Sequence, residues 1–243
     1  KALNALPDGP VDVFDTGNYL DVALISGSLS SSNMLAVLNG ANAAVLGDEI
    51  IQFQTATLTA PNVYRLTDLL RGRLGTEHAT GGHTEQDDFI LLDSAVLKQG
   101  IPVNFIGIEK YYKAVTVGAA LADADETTFT YRGIKFKPYS PVQIEGARDG
   151  SSNLTIAWVR RTRIGGDWRD GVDAPLGEES ESYEIDIMNG LTVVRTLTAT
   201  TPSVTYSAAN QTTDFGSPQA SIDINIYQMS AIVGRGYAGS ATV

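Results

Sequence analysis

Three arginines, Arg65, Arg71 and Arg73, fall within nine residues of a chain whose formal net charge is −11. Guanidinium groups bind carboxylate and phosphate bidentately, so the segment RLTDLLRGRLGTEH (residues 65–78) is where an anion would be held. Gly72 and Gly75 interrupt it and disfavour a helix, which makes it a shaped loop. The alternative is pairing inside the fold, with Asp68, Glu77, Asp87 and Asp88 as acids close in sequence. The only two histidines, His78 and His83, follow directly. With Glu77, Glu85, Asp87 and Asp88 they supply the imidazole and carboxylate donors that suit zinc. Their five-residue spacing matches no metal signature, so no metal and no cofactor are expected.

Other chemistry is poorly served. Glycoside hydrolysis needs two carboxyl groups about 5–10 Å apart. Asp87 with Asp88, Asp123 with Asp125 and Glu126, and Glu178 with Glu179 and Glu181 are available, but all lie in polar, turn-like stretches that read as solvated faces. There is no Gly-x-Ser-x-Gly elbow and no phosphate loop or dinucleotide fingerprint. Asp123 and Asp125 lack the glycine and distant glutamate of a calcium loop. With no cysteine, disulfides, thiolate metal sites and thiol nucleophiles are excluded. The chain is therefore not expected to be an enzyme.

The elements that must position these residues are mostly strands. The chain has 243 residues, with 43 % hydrophobic and 19 % charged side chains, the balance of a chain that buries a core. Both sides of Pro138 are acidic, which argues against nucleic acid as a partner. No apolar run reaches the length of a membrane span, and no signal sequence opens the chain. A chain that begins at Lys1 without methionine reads as a piece or processed product of a longer polypeptide.

Residues 1–21, with Pro7, Gly9, Pro10 and Gly17, read as a linker or incoming segment. Residues 22–137 read as a β-rich domain, with strand patterns at 22–25, 49–58, 63–66, 89–92, 111–117 and 127–136 and turns at Asn39-Gly40 and Pro61-Asn62. Residues 138–243 carry about seven short alternating stretches, the number expected of an immunoglobulin-like sandwich. Leu154, Ile156 and Trp158 alternate on the second strand, with Trp158 facing the core. Gly234-Arg235-Gly236 reads as a bend before the last strand. The fold class is all-β. The polar stretch RRTRIGGDWRDGVDAPLGEESE (residues 160–181) is a long insert between the second and third strands, and loops of that length are often functional. Tyr111, Tyr112, Tyr131, Tyr139 and Trp168 are candidates for a carbohydrate platform or a protein interface.

Residues 47–93, centred on LLRGRLGTEH, together with RRTRIGGDWRDG and PLGEE in the insert, resemble the C-terminal region of the tail-tip hub proteins of long-tailed phages and of phage-like gene transfer agents. The second half is similar to a fibronectin type III domain. The resemblance implies a structural virion protein, assembled in a host cytoplasm as part of a tail-tip hub or baseplate. It also implies a trimer around the tail axis, contacts with other tail-tip proteins, and host-facing or fibre-attachment surfaces. In such a hub Arg65, Arg71, Arg73, Glu77 and His78 would lock one subunit or domain to the next. Trp168 would be a contact residue or loop anchor. Two other readings stay open: a module binding a host cell-surface glycan or receptor, and a fragment of a wall-degrading enzyme.

Overall fold

The computed structural model describes residues 1–97, 99–166 and 171–243. It is mainly β and divides into two compact units, Lys1–Leu97 and Lys98–Val243.

The first unit is built on β1 (Leu20–Ala23), a one-turn helix α1 (Met34–Leu38), β2 (Ala43–Leu46), β3 (Glu49–Ala60), β4 (Val63–Leu70) and β5 (Phe89–Leu91). The antiparallel sheet runs β1-β4-β3-β2-β5. The β3–β4 hairpin turns where expected, at Pro61-Asn62, with Asn62 at φ 59°. Leu20, Val22, Leu46, Ile51, Phe53, Leu66 and Leu69 form the buried core.

Residues 1–21 are not the linker expected from their weak periodicity. Ala2 and Leu6 are 1 % exposed and belong to the core. Asp15 exchanges two main-chain bonds with Leu69 (2.8 and 3.1 Å). Ala2 joins the two outer strands of the sheet. It faces Val22 of β1, its N–H donates to Asp87 O and its carbonyl accepts from Gln86 N, both at 2.9 Å. The sheet therefore closes on itself through its own N-terminal residues, which removes part of both edges. Irregular backbone rich in proline and glycine hid a segment whose role is to cover a core.

In the second unit β6 (Glu109–Lys113) and β7 (Glu126–Thr130) form a separate two-stranded hairpin. The sandwich begins close to where the sequence places it, at β8 (Val142–Arg148), although the compact unit that holds it starts earlier. Then come β9 (Leu154–Val159), β10 (Tyr183–Asn189), β11 (Thr192–Ala199), β12 (Ser203–Tyr206), helix α2 (Ala208–Phe215), β13 (Asp223–Ser230) and β14 (Gly234–Thr242). One sheet is β12-β9-β8 and the other β11-β10-β13-β14, the strand arrangement of a fibronectin type III-like sandwich. Leu154, Ile156, Trp158, Tyr183, Ile185, Ile187, Ile224 and Ile226 interdigitate between the sheets. The Trp158 and Tyr183 rings meet edge to face, with centroids 5.0 Å apart.

Of the two glycines of the expected bend, Gly234 closes the turn between β13 and β14 at φ 73° and Gly236 does not take part in it. Gly234 opens β14, and Gly236 lies within it. A Cβ on Gly236 would stand 2.6 Å from the Pro138 carbonyl oxygen, which accepts from Tyr237 N at 3.0 Å. Gly236 is needed because the segment entering the sandwich lies against the β14 backbone. Helix α2 has no counterpart in the sequence reading. Its cap is Ser207, whose hydroxyl accepts from Asn210 N at 3.2 Å, and Gly216 ends it in the left-handed region at φ 83°. Its polar side chains serve the fold. Asp214 takes the Tyr206 hydroxyl at 2.6 Å and both Arg195 Nε and Nη2 at 2.6 and 2.9 Å.

Candidate functional site

The arginine segment turns sharply where β4 ends. Gly72 adopts φ 58°, and a Cβ there would lie 2.8 Å from Glu77 Cα. Only glycine suits both the angle and the space. Leu74 follows in the left-handed region as well, at φ 55°, with its side chain 68 % exposed. The turn drives Arg71 into the interior, where it is the largest fully buried side chain among the described residues.

Arg71 is saturated there. Its guanidinium has five N–H donors. Nε donates to Glu49 Oε1 at 2.9 Å, and Nη2 donates to Glu49 Oε2 at 2.9 Å and to Thr80 O at 2.7 Å. Nη1 donates to Pro7 O at 2.8 Å and to Asp15 Oδ2 at 3.4 Å. Glu49, fully buried, also accepts from Gly72 N at 2.7 Å and meets His83 Nε2 at 2.7 Å. His83 Nδ1 meets Asp87 Oδ2 at 3.1 Å. Asp87 accepts in turn from the Thr84 amide and hydroxyl. The Thr80 hydroxyl donates to Asp8 at 2.6 Å.

The electrostatics follow from this wiring. Burial opposes the charge on Glu49, but hydrogen bonds from His83, Arg71 and the Gly72 amide outweigh it and lower its pKa. The bond to Glu49 raises the pKa of His83 against the pull of burial, and Asp87 adds to the rise. The Thr84 hydroxyl is the main cause of the lowered pKa of Asp87. The result is a charged cluster with its members already paired to one another. No N–H of Arg71 is left for a ligand, and both ring nitrogens of His83 face carboxylates. Among the described residues no group of three histidines or acids is placed to hold a metal ion.

Arg65 and Arg73 make their bonds outside this cluster. Arg65 pairs bidentately with Asp21 across β1 and β4 (2.8 and 2.7 Å), with its guanidinium carbon 4.0 Å from the Tyr19 ring centroid. Arg73 Nε donates to Gln52 Oε1 at 2.9 Å. Three of the acids proposed from sequence proximity pair elsewhere, since Asp88 pairs with Lys1, Asp87 with His83, and Asp68 accepts from Thr55 and Thr67. Glu77 and His78 lie in a 3-10 turn at Glu77–Ala79. Trp168 lies outside the described residues. The base of its insert is fastened by Arg160 to Asp173 at 2.9 Å and by Arg163 to Glu178 at 2.7 Å. Tyr111 and Tyr112 stand exposed on β6. Glu49, the centre of the network, was missed. One acid opening an apolar strand is a faint signal, but an acid just after the Gly47-Asp48 turn and facing inward (Glu49, Ile51 and Phe53 share a face) was there to be read.

The family described as Rcc01698-like, C-terminal matches residues 1–90. No curated protein matches the chain. Solved structures similar to it include domains d3–d4 of the extracellular region of rat CD45, at 12 % identity and a TM-score of 0.33, over 67 % of this chain and 77 % of that one. The FN5 domain of Drosophila Lar is another, at 12 % identity and a TM-score of 0.27, over 44 % of this chain and 94 % of that one.

Proposed function

We propose that this chain is a structural component of the tail tip of a long-tailed phage or phage-like gene transfer agent. It acts there as part of a hub or baseplate that assembles the distal tail and presents host-facing or fibre-attachment surfaces. The observation that carries the reading is the LLRGRLGTEH segment, on which the resemblance to the hub proteins rests and which folds as a closed scaffold around Arg71. Saturated donors suit a part whose work is to hold shape and offer surface. The family match at residues 1–90 covers the same segment.

A hub at the tail axis requires cyclic symmetry, and the resemblance implies three copies. Immunogold labelling of tailed particles with antibody against this chain is expected to mark the distal tail tip. Light scattering on the assembled tip component is expected to give three copies of this 25.8 kDa chain. Label absent from the tails refutes the reading. A mass of one copy removes the trimer.

A further inference from the structure

The chain has two Asn-Gly dipeptides, Asn39-Gly40 and Asn189-Gly190. Asparagine is a thermolabile residue, most of all before glycine. The glycine nitrogen attacks the asparagine side-chain carbonyl, and glycine has no side chain to shield that nitrogen. Both asparagines are exposed, so access to water does not separate them. Their bonding does.

Asn39 caps the end of α1. Its Nδ2 donates to Leu35 O at 2.9 Å, and Gly40 N donates to Val37 O at 2.9 Å. Both reacting groups are therefore held, the carboxamide back along the helix and the glycine nitrogen against its last turn. Ring closure there requires both bonds to break.

Asn189 ends β10 and pairs with Thr192 of β11, which leaves Gly190 and Leu191 as a two-residue loop. Gly190 stands at φ 59° and Leu191 does not adopt a positive φ. That is the II′ arrangement, which asks for glycine first. Among the described residues the Asn189 carboxamide and the Gly190 N–H have no hydrogen-bond partner. A Cβ placed on Gly190 would meet nothing within 4 Å, and the Leu191 side chain is 100 % exposed. Nothing crowds the nitrogen or holds the carbonyl away from it.

We infer that Asn189 is a self-modification site that loses its amide through a succinimide formed with Gly190. Hydroxide takes the Gly190 N–H proton, and the nitrogen bonds to Asn189 Cγ. The Cγ–Nδ2 bond breaks, and Nδ2 takes a proton from water and leaves as ammonia. Water then opens the ring. Cleavage at the side-chain carbonyl gives aspartate, and cleavage at the main-chain carbonyl gives isoaspartate. The Asn189 backbone must leave its pairing with Thr192 for the ring to close, which is fraying at a solvent-exposed hairpin end. Either product makes the −11 chain more acidic. Isoaspartate also lengthens the main chain between β10 and β11 by one carbon. The inference is independent of the tail-tip reading.

Incubation of the whole folded chain in mildly alkaline buffer, followed by peptide mapping with electron-transfer fragmentation, tests it. The Asn189 peptide is expected to gain acid, as both aspartate and isoaspartate, about tenfold or more faster than the Asn39 peptide, which is the rate equivalent of the hydrogen bonds that only Asn39 must break. The chain unfolded in guanidinium chloride gives the intrinsic rates, and there the two sites are expected to react alike. Equal rates at the two sites in the folded chain, or a faster Asn39, would overturn the inference. So would an Asn189 that reacts only when the chain is unfolded. Aspartate without isoaspartate would mean direct hydrolysis and overturn the cyclisation step.

Discussion

Replacing Glu49 with glutamine keeps its volume and removes one charge from the interior. The buried carboxylate takes Arg71 Nε and Gly72 N on Oε1, and Arg71 Nη2 and His83 Nε2 on Oε2. A glutamine has one acceptor oxygen and one amide group, so either rotamer sets an NH₂ against an N–H donor of Arg71. Arg71 keeps only Asp15, at 3.4 Å, as a charged partner. Breaking a buried ion pair from one side costs about 3–5 kcal/mol, out of a domain stability of about 5–15 kcal/mol. At about 4–8 °C per kcal/mol for a domain of this size, Glu49→Gln should lower the melting point of the Lys1–Leu97 unit by about 12 °C or more. Circular dichroism follows the melting of both units. Tryptophan emission comes from the second alone, since Trp158 and Trp168 are the only two tryptophans. A transition that moves down in the dichroism and has no counterpart in the emission assigns the effect to the first unit. Arg65→Ala is the control, because Arg65 is 44 % exposed in its ion pair, and such pairs are worth about 1 kcal/mol or less. A Glu49→Gln loss no larger than the control would refute the claim that Arg71 depends on Glu49.

Two further outcomes follow from the same cluster. The pKa of His83 is raised in the fold, so its contribution is complete below the unfolded value of about 6.5 and is lost as pH rises through the folded value. Glu49, Asp87 and Asp8 have lowered values; their contribution is present above about pH 4 and is lost as pH falls through the folded values. Stability of the first unit should therefore peak between these limits, and His83→Gln should flatten the alkaline side of a urea-midpoint-against-pH curve and also shrink the acid side, because His83 helps to lower the values of Glu49 and Asp87. Gly9→Ala would place a Cβ 2.5 Å from Asp15 Oδ2 and 3.0 Å from Arg71 Nη1. It should cost about 1–3 kcal/mol as overpacking in urea melts, and an unchanged midpoint would mean that residues 7–15 yield freely.

The sandwich was legible because its physics is local. Leu154, Ile156 and Trp158 alternate buried and exposed along β9, and period two in a short segment states which face is inward without reference to any other part of the chain. The hairpin at Pro61-Asn62 was legible for the same reason. Helix α2 was not, because only Gln211 among its residues is fully buried. Gln211 is held by polar bonds, donating through Nε2 to Ser152 O and Tyr206 O, so there was no apolar stripe to find.

The arginine segment lies between these cases. Two glycines among three arginines announced a shaped loop, and Gly72 makes the turn that the composition implied. What the loop encloses was hidden, because proximity in sequence is a poor guide to ion pairing once strands intervene. The acid that neutralises Arg71 is 22 residues away and the second is 56 away, while Asp88, Asp87 and Asp68, written near it, serve Lys1, His83 and two threonines. Charge that is buried must be paired, and the acids that pair with Arg71 are distant in sequence. Pairing is settled by which strands neighbour one another, and that order was the one property of the sheet that alternation alone does not encode.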